Sequence, residues 1–400
     1  MQRYVIIGNG VAGVSAAEAI IARDNQGDIT IFSQEQDPFY YRPRLPDFIA
    51  GAALLDSFTL HGNAWYADQG IDLHLGERVV QVDTKARQVR TDQGLTTTYD
   101  ALLLATGAHS FIPPVAGSDK KNVFALRSAQ DARDIQSAAR SAKAAVLVGG
   151  GLLGLEAGHG LTRLGLSVQV VEFFDRLLPR QMDVAGAAKL QGILEKMDFS
   201  FFLGAKAKEI MGEKEAQGLL LEDGRKLKGG LVLFSAGIRG NVELAQDMGL
   251  DIHNGVVVDD RMQTNLEGVW AAGDHIEHNG RLYGIWPAAK EQGEIAGINM
   301  AGGEAAYQGT VMSNSLKVAG VDLTSAGEVD AEGRLQSAVY EEKEAYRKIV
   351  MEEGKIKGCI FLGLTDGVKE CLQAMERGIQ VGHLAPDMSK IDFDFSKLLS

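Results

Sequence analysis

The feature that most restricts this chain is a short glycine run that occurs twice in the same setting. Gly8-Asn9-Gly10-Val11-Ala12-Gly13 follows an apolar, β-branched run at residues 3–7 and precedes an alanine-rich stretch at 14–22. Gly149-Gly150-Gly151-Leu152-Leu153-Gly154 follows a similar run at 145–148 and precedes a helical pattern over 155–164, ended by Gly165. Each predicts a strand, a tight turn and a helix, and each leads into a further strand, at 28–32 and at 167–172. In such a turn the first glycine permits the reversal, the second lets the backbone approach a pyrophosphate, and the third lets the helix pack on the strand. The helix N-terminus adds unpaired N–H groups and the positive end of the helix dipole. One copy alone is equally a plain strand–helix turn. Two copies, 141 residues apart, predict two dinucleotide-binding domains, since that period is far too long for a solenoid.

Composition narrows the alternatives. Glycine supplies 48 of 400 residues and proline only 8, with 45 % hydrophobic residues, which excludes collagen-like and disordered chains. Two cysteines exclude a disulfide scaffold, a four-thiolate iron–sulfur site and a cysteine-rich zinc site. No metal site is expected. A formal charge of −13 argues against nucleic acid or an anionic membrane as partner. No run of 18 apolar residues suggests a transmembrane helix, and the first apolar run is too short for a signal-peptide core. The expectation is a cytoplasmic protein without membrane insertion.

An apolar run at 101–107 ends in Ala105-Thr106-Gly107, and Pro113-Pro114 then breaks regular structure. A strand at 269–272 runs into Gly273-Asp274, and a small-residue helix follows at 293–301. From about residue 308, alternating stretches at 315–318, 335–340, 346–351 and 357–361 predict an antiparallel sheet, followed by an amphipathic helix at 367–377. The predicted fold class is α/β: two Rossmann-like dinucleotide-binding domains plus a small C-terminal α+β domain. Glu172, 18 residues after Gly154, stands where a carboxylate accepts the ribose hydroxyls and repels a 2′-phosphate, so NADH is favoured over NADPH. Phe173 and Phe174 follow it, and Arg176 is the nearest cation in sequence. In the first copy either the Ser33 hydroxyl or Glu35 holds the ribose.

The order of these pieces, ending in Thr264 and Gly268-Val269-Trp270-Ala271-Ala272-Gly273-Asp274, resembles the FAD-dependent pyridine nucleotide oxidoreductases, in which an NAD domain is inserted into a split FAD domain. The resemblance implies an FAD domain at 1–114 and 239–307, an NAD domain at 115–238, and a C-terminal domain at 308–400. It places Gly8, Gly10, Gly13, Ser33, Glu35, Arg42, Val80, Thr106, Gly107, Gly273 and Asp274 around FAD. Gly149, Gly151, Gly154, Glu156 and Glu172 then surround NADH. Where disulfide reductases and NADH peroxidases of this superfamily carry their cysteines, this chain reads Phe39-Tyr40-Tyr41-Arg42-Pro43-Arg44-Leu45. Cys359 and Cys371 lie in the C-terminal part, where Cys371 shares a helical face with Val368, Leu372 and Met375, the pattern of a buried apolar residue.

Tyr40 to Leu45 and Leu316-Lys317-Val318-Ala319-Gly320 resemble NAD(P)H:rubredoxin oxidoreductases, and less closely ferredoxin reductases. Residues 148–156 and 170–173 resemble the flavin module of NADH-dependent nitrite reductases. One position departs: ferredoxin reductases carry a lysine where this chain has Asp47, and that lysine pairs with the glutamate found here as Glu156. Arg44 is the candidate compensating charge, and Arg42, Arg44 and Glu156 are candidate positioning residues. With no thiol relay, electrons taken from NADH by the flavin leave to an external one-electron carrier, rubredoxin first and ferredoxin second. Rubredoxins are acidic, so a local basic face built from Arg42, Arg44 and Lys317 is expected, with docking weakened by salt. Two other readings stand beside this one: the flavin subunit of a nitrite reductase or other multi-subunit reductase, and a redox-sensing flavoprotein interaction module.

Overall fold

The computed structural model describes residues 1–310 and 320–400, and the backbone alone at 313–318. Contacts divide the chain into two units. One comprises residues 1–43, 54–109 and 238–310; the other comprises 44–53, 110–237 and 311–400.

In the first unit, Arg3–Ile7 is the central strand of a parallel sheet. Asp28–Ser33 and then Ile71–Leu75 lie on one side, and Ala101–Leu104 and then Val269–Ala271 on the other. The central strand is buried on both faces beyond Arg3, as an apolar β-branched run requires. Its carboxyl end is where strand order reverses, the place at which such sheets leave a crevice. Helix Val11–Arg23 covers one face and packs on helix Trp286–Met300. The contact is backbone-close: a Cβ on Gly293 would fall 2.1 Å from Ala12 O, and one on Gly297 2.3 Å from Ala16 O. An antiparallel sheet of Val79–Asp83, Gln88–Thr91 and Thr96–Thr98 completes the unit's main elements.

The second unit repeats the plan. Ala144–Val148 is central, with Ser167–Val171 and Phe199–Phe202 on one side and Leu231–Phe234 and Val123–Ala125 on the other, all parallel. Helix Leu152–Arg163 follows the glycine turn. Both post-glycine helices begin earlier than their sequence pattern suggests, at Val11 and Leu152, so the third glycine of each turn lies inside the helix. The helix after Gly273 is likewise longer, Trp286–Met300, with Pro287 in its first turn.

The C-terminal part forms an antiparallel sheet in the order Ser313–Val318, Val321–Gly327, Lys355–Leu362, Tyr346–Glu352, Gln336–Glu341, with helix Val368–Arg377 against it. Strand Val321–Gly327 was not legible as an alternating pattern because Leu323, Thr324, Ser325 and Ala326 are all buried in succession. Within this unit the sheet is fastened to the segment that follows Glu172. Asp183 caps helix Val184–Leu194 through Gly186 N–H and accepts from Tyr346 Oη at 2.6 Å and Lys348 Nζ at 3.2 Å. Ser325 Oγ donates to Gln181 O at 2.6 Å. The side chain of Lys317, one of the expected docking cations, and residue Ala319 lie outside the described residues.

Candidate functional site

The three glycines of the first turn divide by what surrounds them. Gly8 sits at φ +122°, and a Cβ there would fall 2.1 Å from Ala105 O, in the Ala105-Thr106-Gly107 turn of the neighbouring strand. A Cβ on Gly13 would fall 2.0 Å from Gly8 O. These two positions are closed by protein. Gly10 is the reverse: it caps helix Val11–Arg23 with no side-chain bond, and a Cβ there would meet nothing within 4 Å. The Gly10 side of the turn is therefore open, and no acidic side chain occupies the helix's first turn. Beside them Asn9 Nδ2 is buried without a partner while its Oδ1 accepts from Tyr66 Oη at 2.8 Å. An uncapped helix start beside an open glycine, with a buried unpartnered amide next to it, fits a pyrophosphate.

The second turn sorts the same way. Gly149 (φ +110°) and Gly154 are closed, their Cβ positions lying 2.2 Å from Ser235 O and 2.8 Å from Ser235 Cβ. Gly151 is the uncapped N-cap, with its nearest atoms at 3.9 Å. Glu172 is buried, and its two oxygens accept from Gly150 N–H at 2.6 Å and Phe174 N–H at 2.9 Å. The carboxylate thus fixes the turn, and each oxygen keeps the further acceptor capacity that the expected ribose contact requires. Phe173 and Phe174 are exposed. Arg176 turns away to Asp175 and Pro179 O.

Around the first turn, Glu35 accepts from Tyr40 Oη at 2.6 Å and from Arg42 at 2.7 Å, while Ser33 Oγ accepts the Glu35 N–H at 3.2 Å. Burial opposes the Arg42 charge, but Glu35, Tyr40 and Asp274 outweigh it and raise its pKa. The structure therefore brings Glu35, Arg42 and Asp274 into one electrostatic group. Asp274 stands in a turn between Val269–Ala271 and Ile276–His278 and caps no helix. Gly273 N–H donates to Gln292 Oε1 at 3.0 Å. Thr106 and Asn241 bond reciprocally: Thr106 Oγ1 donates to Asn241 O at 2.8 Å, and Asn241 Nδ2 to Thr106 O at 2.7 Å. The Asn241 N–H donates to Gly107 O. Val80 is 39 % exposed, at an irregularity of strand pairing between Val79 and Gln81. Asn241 and Gln292 escaped sequence reading, each a single polar residue without a motif of its own, and Tyr40, though part of the Tyr40–Leu45 motif, was not read as the partner of Glu35.

In the second unit, Arg44 Nε donates to Asp47 at 2.9 Å, so the cation expected to compensate Glu156 is engaged by Asp47. Glu156 is pushed up to about 8, by burial first and then by the Asp47 charge. Cys359 and Cys371 are both buried in the C-terminal core cluster, and burial pushes their thiols up, so neither is poised for redox chemistry.

Residues 2–293 match the pyridine nucleotide-disulphide oxidoreductase family. The chain belongs to that family. Residues 313–379 match the rubredoxin NAD+ reductase C-terminal domain. The chain is similar to the assimilatory nitrate reductase electron transfer subunit of Bacillus subtilis, 36 % identical over 94 % of this chain and 49 % of that protein. It is similar to the NADH-rubredoxin oxidoreductase of Clostridium acetobutylicum, 28 % identical over 90 % of this chain and 91 % of that one. Its fold matches the crystal structure of a ferredoxin reductase for the CYP199A2 system from Rhodopseudomonas palustris, with a TM-score of 0.91 at 22 % identity over the whole of both chains. The chain spans about half the length of the nitrate and nitrite reductase relatives it matches. Family membership makes it an NAD(P)H-dependent flavoprotein oxidoreductase with FAD and NADH as cofactors. Among the described residues there is no redox-active disulfide, and no helix is long and apolar enough to cross a membrane.

Proposed function

We propose that the chain takes hydride from NADH onto FAD and passes the electrons singly to a small carrier protein, rubredoxin before ferredoxin. The carrying observation is the pair of uncapped helix N-termini, each with a middle glycine facing open space, in a chain whose two cysteines are buried. FAD, when bound, accepts the electron pair of a hydride and returns electrons one at a time. The protein's part is to bind and orient. Gly8, Gly10 and Gly13 with the first turn of Val11–Arg23 hold the FAD pyrophosphate, and Ser33 or Glu35 its adenosine ribose. Arg42, held by Glu35 and Tyr40, sets a fixed cation beside Asp274, with Thr106, Gly107, Gly273 and Val80 completing the FAD surround. Gly149, Gly151 and Gly154 receive the NADH pyrophosphate, and Glu172 its ribose hydroxyls. A buried carboxylate at that point repels a 2′-phosphate, which favours NADH over NADPH. The corresponding division is FAD domain 1–114 and 239–307, NAD domain 115–238 and C-terminal domain 308–400.

The C-terminal match and the similarity to an NADH-rubredoxin oxidoreductase over 90 % of this chain and 91 % of that one support the choice of carrier. A second reading, the flavin subunit of a larger nitrate- or nitrite-reducing assembly, is favoured by the similarity that covers only half of those relatives. Anaerobic rapid mixing with NADH, followed by an acceptor screen of rubredoxin, ferredoxin, flavodoxin and oxygen, separates the readings. Fast flavin bleaching with efficient rubredoxin reduction is expected. Bleaching without a competent small acceptor points to the assembly, and a flavin that NADH leaves oxidised points to a sensing module.

A further inference from the structure

Residues 173–183, between Glu172 and helix Val184–Leu194, form neither helix nor strand. Their path is therefore set by individual contacts. Phe174 O accepts from Gly204 N–H at 2.8 Å, and the segment then lies on the second glycine turn. A Cβ on Gly150 would fall 2.9 Å from Leu177 Cδ2 and 3.2 Å from Glu172 Oε2, and Leu178 N–H donates to Gly150 O at 3.4 Å. Leu177 and Leu178 are buried there. Leu178 sits at φ +49°, a left-handed backbone that a residue with a side chain keeps only where its surroundings impose it. Its carbonyl accepts from Gln181 and Met182 N–H, both at 2.9 Å, which closes the segment into a turn.

The far end of the segment is gripped by the C-terminal sheet of the same unit. Ser325 Oγ, on strand Val321–Gly327, donates to Gln181 O at 2.6 Å. From strand Tyr346–Glu352, Tyr346 Oη and Lys348 Nζ reach Asp183 Oδ2 at 2.6 and 3.2 Å. Lys348 also donates to Asp330 O at 2.7 Å, and the Asp330 carboxylate accepts from Arg334 and Leu335 N–H. Ser325, Tyr346, Lys348, Asp183 and Asp330 are all buried. Stability alone does not call for this chemistry, since apolar residues of similar volume commonly hold a buried contact at least as well as an ion pair. Directional bonds to a buried carboxylate instead permit one arrangement of the groups they join.

We propose that Ser325, Tyr346 and Lys348 are positioning residues for NADH: through Gln181 and Asp183 they hold residues 173–183 against the second glycine turn and thereby set the affinity for the dinucleotide. Their role rests on reading that turn as the NADH site. Gly150 is where the grip meets the turn, because Glu172 accepts its N–H and Leu178 donates to its carbonyl. Released from the sheet, Leu178 relaxes from its left-handed conformation and Gly150 O loses its donor. The Gly151 side of the turn and the Glu172 carboxylate then lose their common register, and small displacements of binding groups are costly. None of these contacts involves the unit that carries the first glycine turn, so flavin retention is left as it is.

Anaerobic rapid mixing of the FAD-loaded protein with increasing NADH gives an apparent Kd and a limiting rate of flavin bleaching. Tyr346→Phe and Lys348→Met are expected to raise that Kd about fivefold or more, and Ser325→Ala about twofold or more. Limiting rate and flavin content stay at the wild-type level, and calorimetric titration with NAD+ shows the same loss of affinity. Where Lys348→Met does not fold, Tyr346→Phe and Ser325→Ala, each lacking one oxygen, decide. Folded variants with wild-type dinucleotide affinity, a loss confined to the limiting rate, or flavin lost in step with NADH affinity overturns the positioning role. Gly151→Val, which fills the open side of the turn, separates this from the site reading. If it abolishes NADH binding while the sheet variants bind normally, the positioning role alone falls; if it binds NADH as wild type does, the site reading falls and the positioning role with it.

Discussion

Gly8 and Gly10 share one turn, yet a methyl group on each meets opposite surroundings. At Gly8 it would enter the Ala105 carbonyl at a positive φ, whereas at Gly10 it enters space that the protein leaves open. Gly8→Ala is therefore expected to destabilise the fold by about 3 kcal/mol or more, from overpacking and backbone strain together. Gly10→Ala is expected to cost the flavin-free protein about 1 kcal/mol or less while sharply lowering retained FAD. Urea midpoints of the apoprotein and the flavin-to-protein absorbance ratio test the pair. Equal losses of stability would remove the distinction. Glu172 carries two roles at once, and even Glu172→Gln turns a donor towards one of two backbone N–H groups. Losing one charge-assisted bond is worth about 1.5–3 kcal/mol, so KM for NADH should rise at least about tenfold, with the preference over NADPH reduced; unchanged steady-state KM values would exclude Glu172 from the site. Glu156 makes a pH prediction. Its folded pKa lies above its unfolded one, so the stability it contributes is full below about pH 4.5 and is lost as pH rises through about 8. Glu156→Gln is expected to gain on wild type in urea midpoint between pH 5 and 8, and a gap that does not change with pH would contradict this.

At the scale of elements, helix Val11–Arg23 can present its N-terminus to the proposed FAD site only because Trp286–Met300 lets it lie backbone-close. Gly293→Ala places a methyl 2.1 Å from Ala12 O, in the helix's first turn beside the open side of Gly10. The two helices must separate, and the cost is expected at about 2 kcal/mol with weakened flavin binding, read by urea titration and by FAD release on dilution. A variant with wild-type stability and flavin content would show that the helix contact does not position the turn. This contact also shows where the sequence was legible. The glycine turns could be read because local geometry demands glycine at Gly8 and Gly149, and strands Arg3–Ile7 and Ala144–Val148 because burial on both faces demands apolar runs. Helix starts were read late because Val11-Ala12-Gly13 belongs to turn and helix at once. The partners Tyr40 for Glu35 and Asn241 for Thr106 were not legible as contacts. Each is made by residues brought together only by tertiary packing, which leaves no periodicity behind.

At the scale of the whole molecule the governing quantity is charge. The chain carries −13, and the expected basic docking face depended on Arg42, Arg44 and Lys317. The structure corrects the first two: Arg42 pairs with Glu35 and Arg44 with Asp47, so each arginine comes with a carboxylate beside it and neither adds net positive charge. An acidic carrier then meets a chain of like sign over distances comparable to the Debye length, about 8 Å at physiological salt and about 30 Å at 0.01 M. Screening should therefore help encounter, reversing the expectation drawn from sequence. Carrier-dependent turnover with saturating NADH and limiting acidic carrier is expected to rise as salt goes from about 0.01 M to 0.15 M, while NADH-dependent flavin bleaching in the same solutions changes little. A fall in turnover over that range would show that another cationic surface captures the carrier. Reversing the charge of exposed lysines one at a time, and following which substitution abolishes the salt effect, would then locate it.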